Sequence, residues 1–248
     1  MKLDKIIAVR NEKTLYCDGD KTIKVFERGY SKGDILSEAL NQARMEETGL
    51  NIPKILEVSI VDGKWAIVYE YIKGKSLAQL MKENPEKKEE YLELFVDLQI
   101  EIHKKTCPFL RKMKDEMNRT ISDSELDATT RYDLHTRLDS MPKHNKVCHG
   151  DFNPSNVIIS EEDGKPYILD WSQVTQGNAS ADAACTYLLL QLEGDMELAE
   201  KYLELFSEKS DITKRYVEKW IPIVAASQSI RRRKKEREAF NIIMEKQI

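Results

Sequence analysis

The sequence predicts an α+β protein with two lobes: a small antiparallel β-sheet lobe that carries one helix, and a larger, mainly helical lobe. Before residue 71 the chain reads mostly as strands joined by turn dipeptides such as Asp62-Gly63, and after Gly74 its character changes to helices. We expect lobes at residues 1–71 and 72–248, joined by a hinge near residues 70–74. A chain of 248 residues is long enough for both.

The turns predict the first lobe. An Asp-Gly pair between strand-like runs is a strong hairpin signal, because it supplies the positive φ angles of a tight turn. The predicted strands are Lys5–Arg10, 14–17, 22–26, Ile55–Val61 and 65–71, and residues 34–48 are predicted to form a helix that ends before Gly49 and Pro53.

Helix-start signals predict the second lobe. Ser76 and Gln79 form a capping-box pattern, and Asn84-Pro85 offers an N-cap followed by proline at the first helical position. The apolar period predicts a helix over residues 86–105. We also expect a helix over 124–140, two short strands at 156–160 and 167–170 around Asp163-Gly164, and helices from Ala179 onward.

Composition limits the class of protein. The formal net charge is -4, which argues against a general nucleic-acid binder. No segment approaches the ~18 apolar residues that cross a bilayer, and the N-terminus has no long apolar stretch of a signal peptide. The four cysteines (Cys17, Cys107, Cys148 and Cys185) lie far apart, so we expect buried thiols in a cytoplasmic protein without membrane or nucleic-acid partners.

The stretch His149-Gly-Asp-Phe-Asn-Pro-Ser-Asn156, followed by Ile168-Leu-Asp-Trp171, carries the predicted chemistry. Phosphoryl transfer needs an oriented nucleophile and cations that hold the phosphates. Asp151 at a loop tip can accept a hydroxyl proton, and Asn156 can return to the same site as a metal ligand. Asp170 supplies the other contact to Mg²⁺, which prefers one or two protein carboxylates plus waters and phosphate oxygens.

This pattern resembles the Brenner-type loop of aminoglycoside phosphotransferases and choline-kinase-like enzymes, small-molecule relatives of protein kinases. Gly150 stands where protein kinases usually carry arginine. The resemblance implies a protein-kinase-like fold and a Mg²⁺-dependent kinase that phosphorylates a small-molecule hydroxyl with ATP or GTP. By the same likeness His149 supports the loop through hydrogen bonds, and Asp182 braces it from a later helix.

The other residues expected from this resemblance occur in the same order along the chain as in the family. Lys24 resembles the lysine that reaches the α- and β-phosphates, and Glu38 its acidic partner. The stretch from Ile67 to Leu77 resembles the hinge, so the backbone of Glu70 and Ile72 would bind adenine. Tyr69 would then occupy the gatekeeper position.

Two points of this likeness leave alternatives open. Glu46 and Glu47 share the helix with Glu38 and could pair with Lys24 instead. No glycine occurs between the first two strands, which motivates a second hypothesis, a nucleotide-binding pseudokinase that regulates a partner without turnover. A third, a metallophosphoesterase, is disfavoured because that chemistry usually recruits more histidines.

The sequence says less about the molecule that accepts the phosphate than about the reaction. Residues 193–248 hold eleven acidic and twelve basic side chains, so they show no acidic bias that would suit a polycationic aminoglycoside. We therefore predict a generic small-molecule acceptor such as a sugar, an amino alcohol or a nucleoside-like compound. The basic run of residues 231–235 is interpreted as a solvated helix face.

Overall fold

The computed structural model describes residues 3, 5–10, 12–230, 238 and 240, so the basic run at 231–235 lies outside the described residues. The chain forms two compact units. The first comprises Met1–Pro85 and Pro154–Gln173, and the second comprises Glu86–Asn153 and Val174–Ile248. Residues 154–173 thus join the N-terminal part in the first unit, and the lobe boundary after residue 71 stays a prediction.

The bounds of the elements follow the chain order. The strands are β1 (Lys5–Arg10), β2 (Lys13–Asp18), β3 (Lys21–Phe26), β4 (Ile55–Val61), β5 (Lys64–Glu70), β6 (Gly74–Ser76), β7 (Lys146–Cys148), β8 (Val157–Ser160), β9 (Pro166–Ile168) and β10 (Thr175–Gly177). The helices are α1 (Lys32–Glu46), α2 (Leu77–Glu83), α3 (Lys88–His103), α4 (Met113–Ser122), α5 (Ala128–Ser140), α6 (Ala179–Leu192), α7 (Met196–Ser210), α8 (Lys214–Glu218) and α9 (Ile221–Ser229). Short 3₁₀ turns cover Pro85–Lys87, Pro154–Asn156 and Trp171–Gln173.

The first unit is built on an antiparallel sheet in the order β1-β2-β3-β5-β4. The hairpins that the turn dipeptides predict are present: Asp18 pairs with Lys21, and Val61 pairs with Lys64. Side chains alternate between the two faces of a strand. In β3, Ile23 therefore packs on one face of the sheet, while Phe26 packs on the other face against α1.

A second, three-stranded sheet in the order β6-β8-β9 completes the first unit. The predicted hairpin β8–β9 pairs with β6, a three-residue strand that the sequence did not predict. Gly74 permits this pairing, because a Cβ atom at that position would lie 2.0 Å from the carbonyl oxygen of Ile159. The hairpin that follows the Asp151 loop is thus part of the first unit.

The second unit is mainly helical around the buried helix α6. Residues from Ser180 to Leu190 are all buried, as expected for a helix that is covered on every side. It packs against α7, α8 and α9, and β7 and β10 form a short two-stranded sheet beside it. Helix α4 was not predicted, and the helix predicted from residue 124 begins at Ala128 because Asp127 caps it.

The predicted N-cap at Asn84 is wrong. Asn84 instead ends α2, where its side-chain amide donates to the carbonyl oxygen of Leu80. A 3₁₀ turn over Pro85–Lys87 follows, and α3 starts at Lys88 without a side-chain cap. By contrast Ser76 caps α2 as predicted, because its hydroxyl accepts from the backbone N–H of Gln79.

All four cysteines are free thiols. Cys107, Cys148 and Cys185 are buried as predicted, whereas Cys17 on β2 is half-buried. Within the described residues, no helix has both the length and the apolar character that a bilayer crossing requires.

We expect Gly74→Ala to lower the free energy of unfolding by about 1–3 kcal/mol, because overpacking against backbone forces a local shift. Gly33→Ala is the matched control: it lies in α1, and its added Cβ would be 3.6 Å from the nearest atom, the Ser31 hydroxyl oxygen. That variant should be neutral or slightly stabilising, since alanine favours helix. Urea unfolding of both variants measures the difference, and equal stabilities would contradict the close β6–β8 approach.

Candidate active site

Lys24 and Glu38 form a buried ion pair in the first unit. Lys24 lies on the face of β3 that is covered by α1, and its ammonium is 2.5 Å from Oε1 of Glu38. The side chains are 7% and 6% exposed, so both charges are largely removed from water. The structure thus brings together the two residues that the resemblance paired, while Glu46 accepts a hydrogen bond from the backbone of Ile55.

Asp170 is the third member of this charge group. Asp170 lies two residues after the end of β9, and its Oδ1 is 3.3 Å from the ammonium of Lys24. Asp170 adopts a left-handed backbone conformation with φ of 59°, which is uncommon outside glycine and often marks a functional position. The side chain is 34% exposed, so one side of this carboxylate faces solvent.

The charges in this group stabilise one another. Burial alone would lower the pKa of Lys24, but the carboxylates of Asp170 and Glu38 hold that pKa well above its ordinary value. Burial alone would raise the pKa of Asp170, but Lys24 and then Lys13 hold that pKa well below its ordinary value. Lysine and aspartate are therefore both ionised at neutral pH.

Two further side chains contact Glu38: Tyr69, which was predicted as the gatekeeper, and Lys13, for which no role was predicted. Lys13, the first residue of β2, lies with its ammonium 2.9 Å from Oε2 of Glu38. The Tyr69 hydroxyl donates to Oε1 of Glu38 over 3.3 Å, and burial raises its pKa so that it keeps its proton. One carboxylate thus receives three donors.

Asn156 directly precedes the β8–β9 hairpin, and Asp170 follows it. Val157 pairs with Ile168, and the Leu169 N–H donates to the carbonyl oxygen of Asn156 over 2.8 Å. This ladder brings the predicted metal ligands to the same end of the hairpin. An ionised carboxylate and an amide oxygen match the sparse protein ligand set of Mg²⁺, so these residues fit the metal.

The predicted adenine-binding backbone lies at the end of β5 and just beyond it. The Glu70 N–H already donates to the carbonyl oxygen of Lys54 over 2.9 Å. Its use in adenine binding would therefore rest on its carbonyl oxygen. Ile72 lies outside the strands, between β5 and β6, where its backbone is not part of a ladder.

The Asp151 loop belongs to the second unit and is held by hydrogen bonds between its own side chains and backbone. Gly150 has φ of 79°, a conformation that glycine adopts without a steric penalty. The Asp151 N–H donates to Nδ1 of the fully buried His149, and the Asn153 amide donates to the carbonyl oxygen of Asp151 over 3.0 Å. The Asp151 residue itself is half-buried.

Asp182 on α6 binds the backbone of this loop. Its Oδ1 accepts from the N–H of Gly150 over 2.7 Å, and its Oδ2 accepts from Nε2 of His103 over 2.8 Å and from Gln99 over 3.2 Å. Burial alone would raise the pKa of Asp182, but the hydrogen bond from His103 and these other contacts lower it. The carboxylate is therefore ionised, although it is 1% exposed.

A buried polar network extends this support. Gln99 also donates to Thr186 over 3.0 Å and accepts from the Tyr202 hydroxyl over 2.5 Å. Thr186 in turn donates to the carbonyl oxygen of Phe152 over 3.0 Å. The loop is thus held on both sides of Asp151, at Gly150 and at Phe152. Among the described residues, no three His, Cys, Asp or Glu side chains gather as a metal-binding group.

The profile of the phosphotransferase enzyme family (APH) matches residues 13–216, most of the chain. The chain therefore belongs to this family. The matched range includes Lys24, Glu38, the Asp151 loop and Asp170, the residues on which the resemblance was based.

Solved structures confirm the predicted two-lobed, kinase-like fold. The chain resembles a thermostable mutant of aminoglycoside phosphotransferase APH(4)-Ia in ternary complex with AMP-PNP and hygromycin B, with a TM-score of 0.72, 13% identity, and coverage of 98% of this chain and 91% of the other. It also resembles the choline kinase LicA from Streptococcus pneumoniae, with a TM-score of 0.69, 17% identity, and coverage of 100% and 93%. At these identities the likeness shows the fold alone.

One curated relative matches over a short segment. Altered inheritance of mitochondria protein 9 from Eremothecium gossypii is 42% identical in an alignment of 52 residues that covers 19% of this chain and 8% of that protein. The match thus spans a small part of that protein's length, and it carries no conclusion about the activity of this chain.

We expect Asp182→Asn to lower the free energy of unfolding by about 3 kcal/mol at pH 6, because it sets an NH₂ group against the donors of His103 and Gln99. Since folding lowers the pKa of Asp182, the wild-type advantage is full above the unfolded value of about 3.9 and shrinks as pH falls below it. Urea unfolding at pH 6 and pH 3 measures both effects.

The matched control is Asp123→Asn, at the exposed end of α4. It should change stability by no more than about 0.5 kcal/mol at either pH. Equal stability of wild type and Asp182→Asn at pH 6 would contradict the role of Asp182 as a brace.

Proposed function

We propose that this protein transfers the γ-phosphate of ATP or GTP to a hydroxyl group of a small molecule, with Mg²⁺ as cofactor. The observation that carries the proposal is the buried group of Lys24, Glu38 and Asp170, in a chain that also has an Asp151 loop braced by Asp182. Membership of the phosphotransferase enzyme family supports the reaction class. We place the protein in the cytoplasm, without nucleic-acid or membrane partners.

The proposed roles follow from charge and chemistry. Lys24 neutralises negative charge on the nucleotide phosphates, and Glu38 fixes its ammonium. Asp170 and Asn156 would hold Mg²⁺, which supplies positive charge to the β- and γ-phosphates when it is bound. Asp170 suits this role because its carboxylate is ionised and one third exposed.

Asp151 is the proposed acceptor of the hydroxyl proton. Its half-buried side chain follows Gly150, whose N–H is fixed on Asp182, so the loop is held before substrate arrives. A base that is held in position loses less freedom in the transition state. The adenine base would contact the Glu70 carbonyl oxygen and the Ile72 N–H, with Tyr69 beside it as the gatekeeper.

The acceptor class stays broad. The near balance of acidic and basic side chains in residues 193–248 does not favour a polycation. We therefore propose a sugar, an amino alcohol or a nucleoside-like alcohol rather than an aminoglycoside.

Nucleotide binding should depend on magnesium through Asp170. We expect Asp170→Asn to weaken Mg-ATP binding about tenfold or more, because the amide lacks the charge that attracts the metal. Calorimetric titration with ATP and with GTP, with and without Mg²⁺, measures this effect. Asp163→Asn is the control, since that aspartate lies exposed in the β8–β9 turn. The absence of nucleotide binding by the wild type would overturn the proposed function.

Asp151→Ala should abolish phosphoryl transfer while nucleotide affinity stays within about twofold. Loss of a general base costs about 10²–10⁴ in rate. A panel of hydroxyl acceptors assayed by ³¹P NMR for new phosphomonoesters measures transfer by the wild type and the variant. Turnover that survives Asp151→Ala would contradict the mechanism. Nucleotide binding by the wild type without transfer to any acceptor would favour the pseudokinase alternative.

A further inference from the structure

Lys13 is the first residue of β2 and follows the β1–β2 connection, where the resemblance to kinases would place a glycine-rich loop. Arg10 pairs with Lys13, so only two residues connect β1 and β2, and none of these four is glycine. Without glycine, backbone amides cannot approach a phosphate as freely as they do in a glycine-rich loop. The residue that opens β2 instead carries a positive side chain.

The sheet register directs Lys13 toward the same face as Lys24. Lys13 pairs with Phe26 and Leu15 pairs with Lys24 across β2 and β3. Directly paired residues share a face of the sheet, and so do residues two apart on one strand. Both lysines therefore lie on the face that α1 covers.

The ammonium of Lys13 is held firmly in this position. It lies 2.9 Å from Oε2 of Glu38, and it sits over the rings of Phe26 and Tyr30 at 5.2 and 5.3 Å from their centroids. Its side chain is only 18% exposed. Ordering a lysine side chain costs rotamer entropy, so an ion pair combined with two aromatic contacts indicates a defined role rather than a solvated charge.

The formal charges explain what this role would be. Lys24 already satisfies Oε1 of Glu38 and contacts Asp170, so Lys13 is a second cation in one small group. With both lysines the two positive charges balance the two carboxylates. Without Lys13 the group would carry one net negative charge, which would repel a triphosphate.

We propose that Lys13 is a second phosphate-binding side chain, whose ammonium supplies the triphosphate with the contact that a glycine-rich loop would make through backbone amides. This inference rests on the proposed function and adds a residue to its nucleotide site. The ligand chemistry is the polyphosphate of a nucleoside triphosphate, and the nucleoside part contributes nothing to this contact.

Calorimetry with Mg-ATP and with adenosine tests the proposal. Lys13→Met keeps the apolar stem over Phe26 and Tyr30 but removes the charge. We expect it to bind Mg-ATP about tenfold more weakly than the wild type, with unchanged affinity for adenosine. Lys13→Arg, which keeps the charge, should restore most of the Mg-ATP affinity.

Lys64→Met is the matched control, because Lys64 lies on the same sheet and its ammonium is 2.6 Å from Glu27. It removes the same charge and should leave Mg-ATP affinity unchanged. Should Lys13→Met unfold too readily to titrate, Lys13→Gln carries the same expectation.

Three results would overturn the proposal. Equal Mg-ATP affinity of Lys13→Met and the wild type would exclude a phosphate contact while leaving the proposed function intact. An equal loss of Mg-ATP and adenosine affinity would assign Lys13 a purely structural role in holding Glu38. A wild type that binds no nucleotide at all would overturn both this inference and the proposed function.

Discussion

The first unit depends on a buried ammonium group, that of Lys24. Removing such a charge from water costs several kcal/mol, so it requires carboxylates at close range. Glu38 supplies one from α1 and Asp170 supplies the other from the end of β9. The packing of α1 on the sheet and the left-handed turn at Asp170 are therefore parts of one electrostatic arrangement. Well-packed apolar side chains would stabilise a fold at least as well, which is why we interpret this group as functional.

The second unit solves a similar problem with a different charge. Asp182 is buried in α6, where the hydrogen bonds from Gly150, His103 and Gln99 compensate its lost hydration. The same bonds fix the backbone before Asp151, so the stability of this carboxylate and the position of the loop cannot be separated. In both units a buried charged side chain contacts a loop that carries proposed site residues.

The sequence predicted the features that have strong local signals. Asp-Gly turns located the hairpins of the first sheet and, at Asp163-Gly164, the β8–β9 hairpin. The sequence did not reveal β7 and β10, because three-residue strands show no periodicity. Asn84 misled the prediction because the same residue type suits either end of a helix. The contact between Lys13 and Glu38 joins residues 25 apart in sequence, and it needs both the β2–β3 register and the packing of α1 on the sheet.

We propose that the Lys24 group serves to bind a nucleoside triphosphate. Thermal melting of the wild type and of Lys24→Met, each with and without Mg-ATP, tests it most directly, because a ligand that binds the folded state raises its Tm. We expect Mg-ATP to raise the Tm of the wild type and to leave the Tm of Lys24→Met unchanged. An equal rise in both proteins, or none in the wild type, would contradict it.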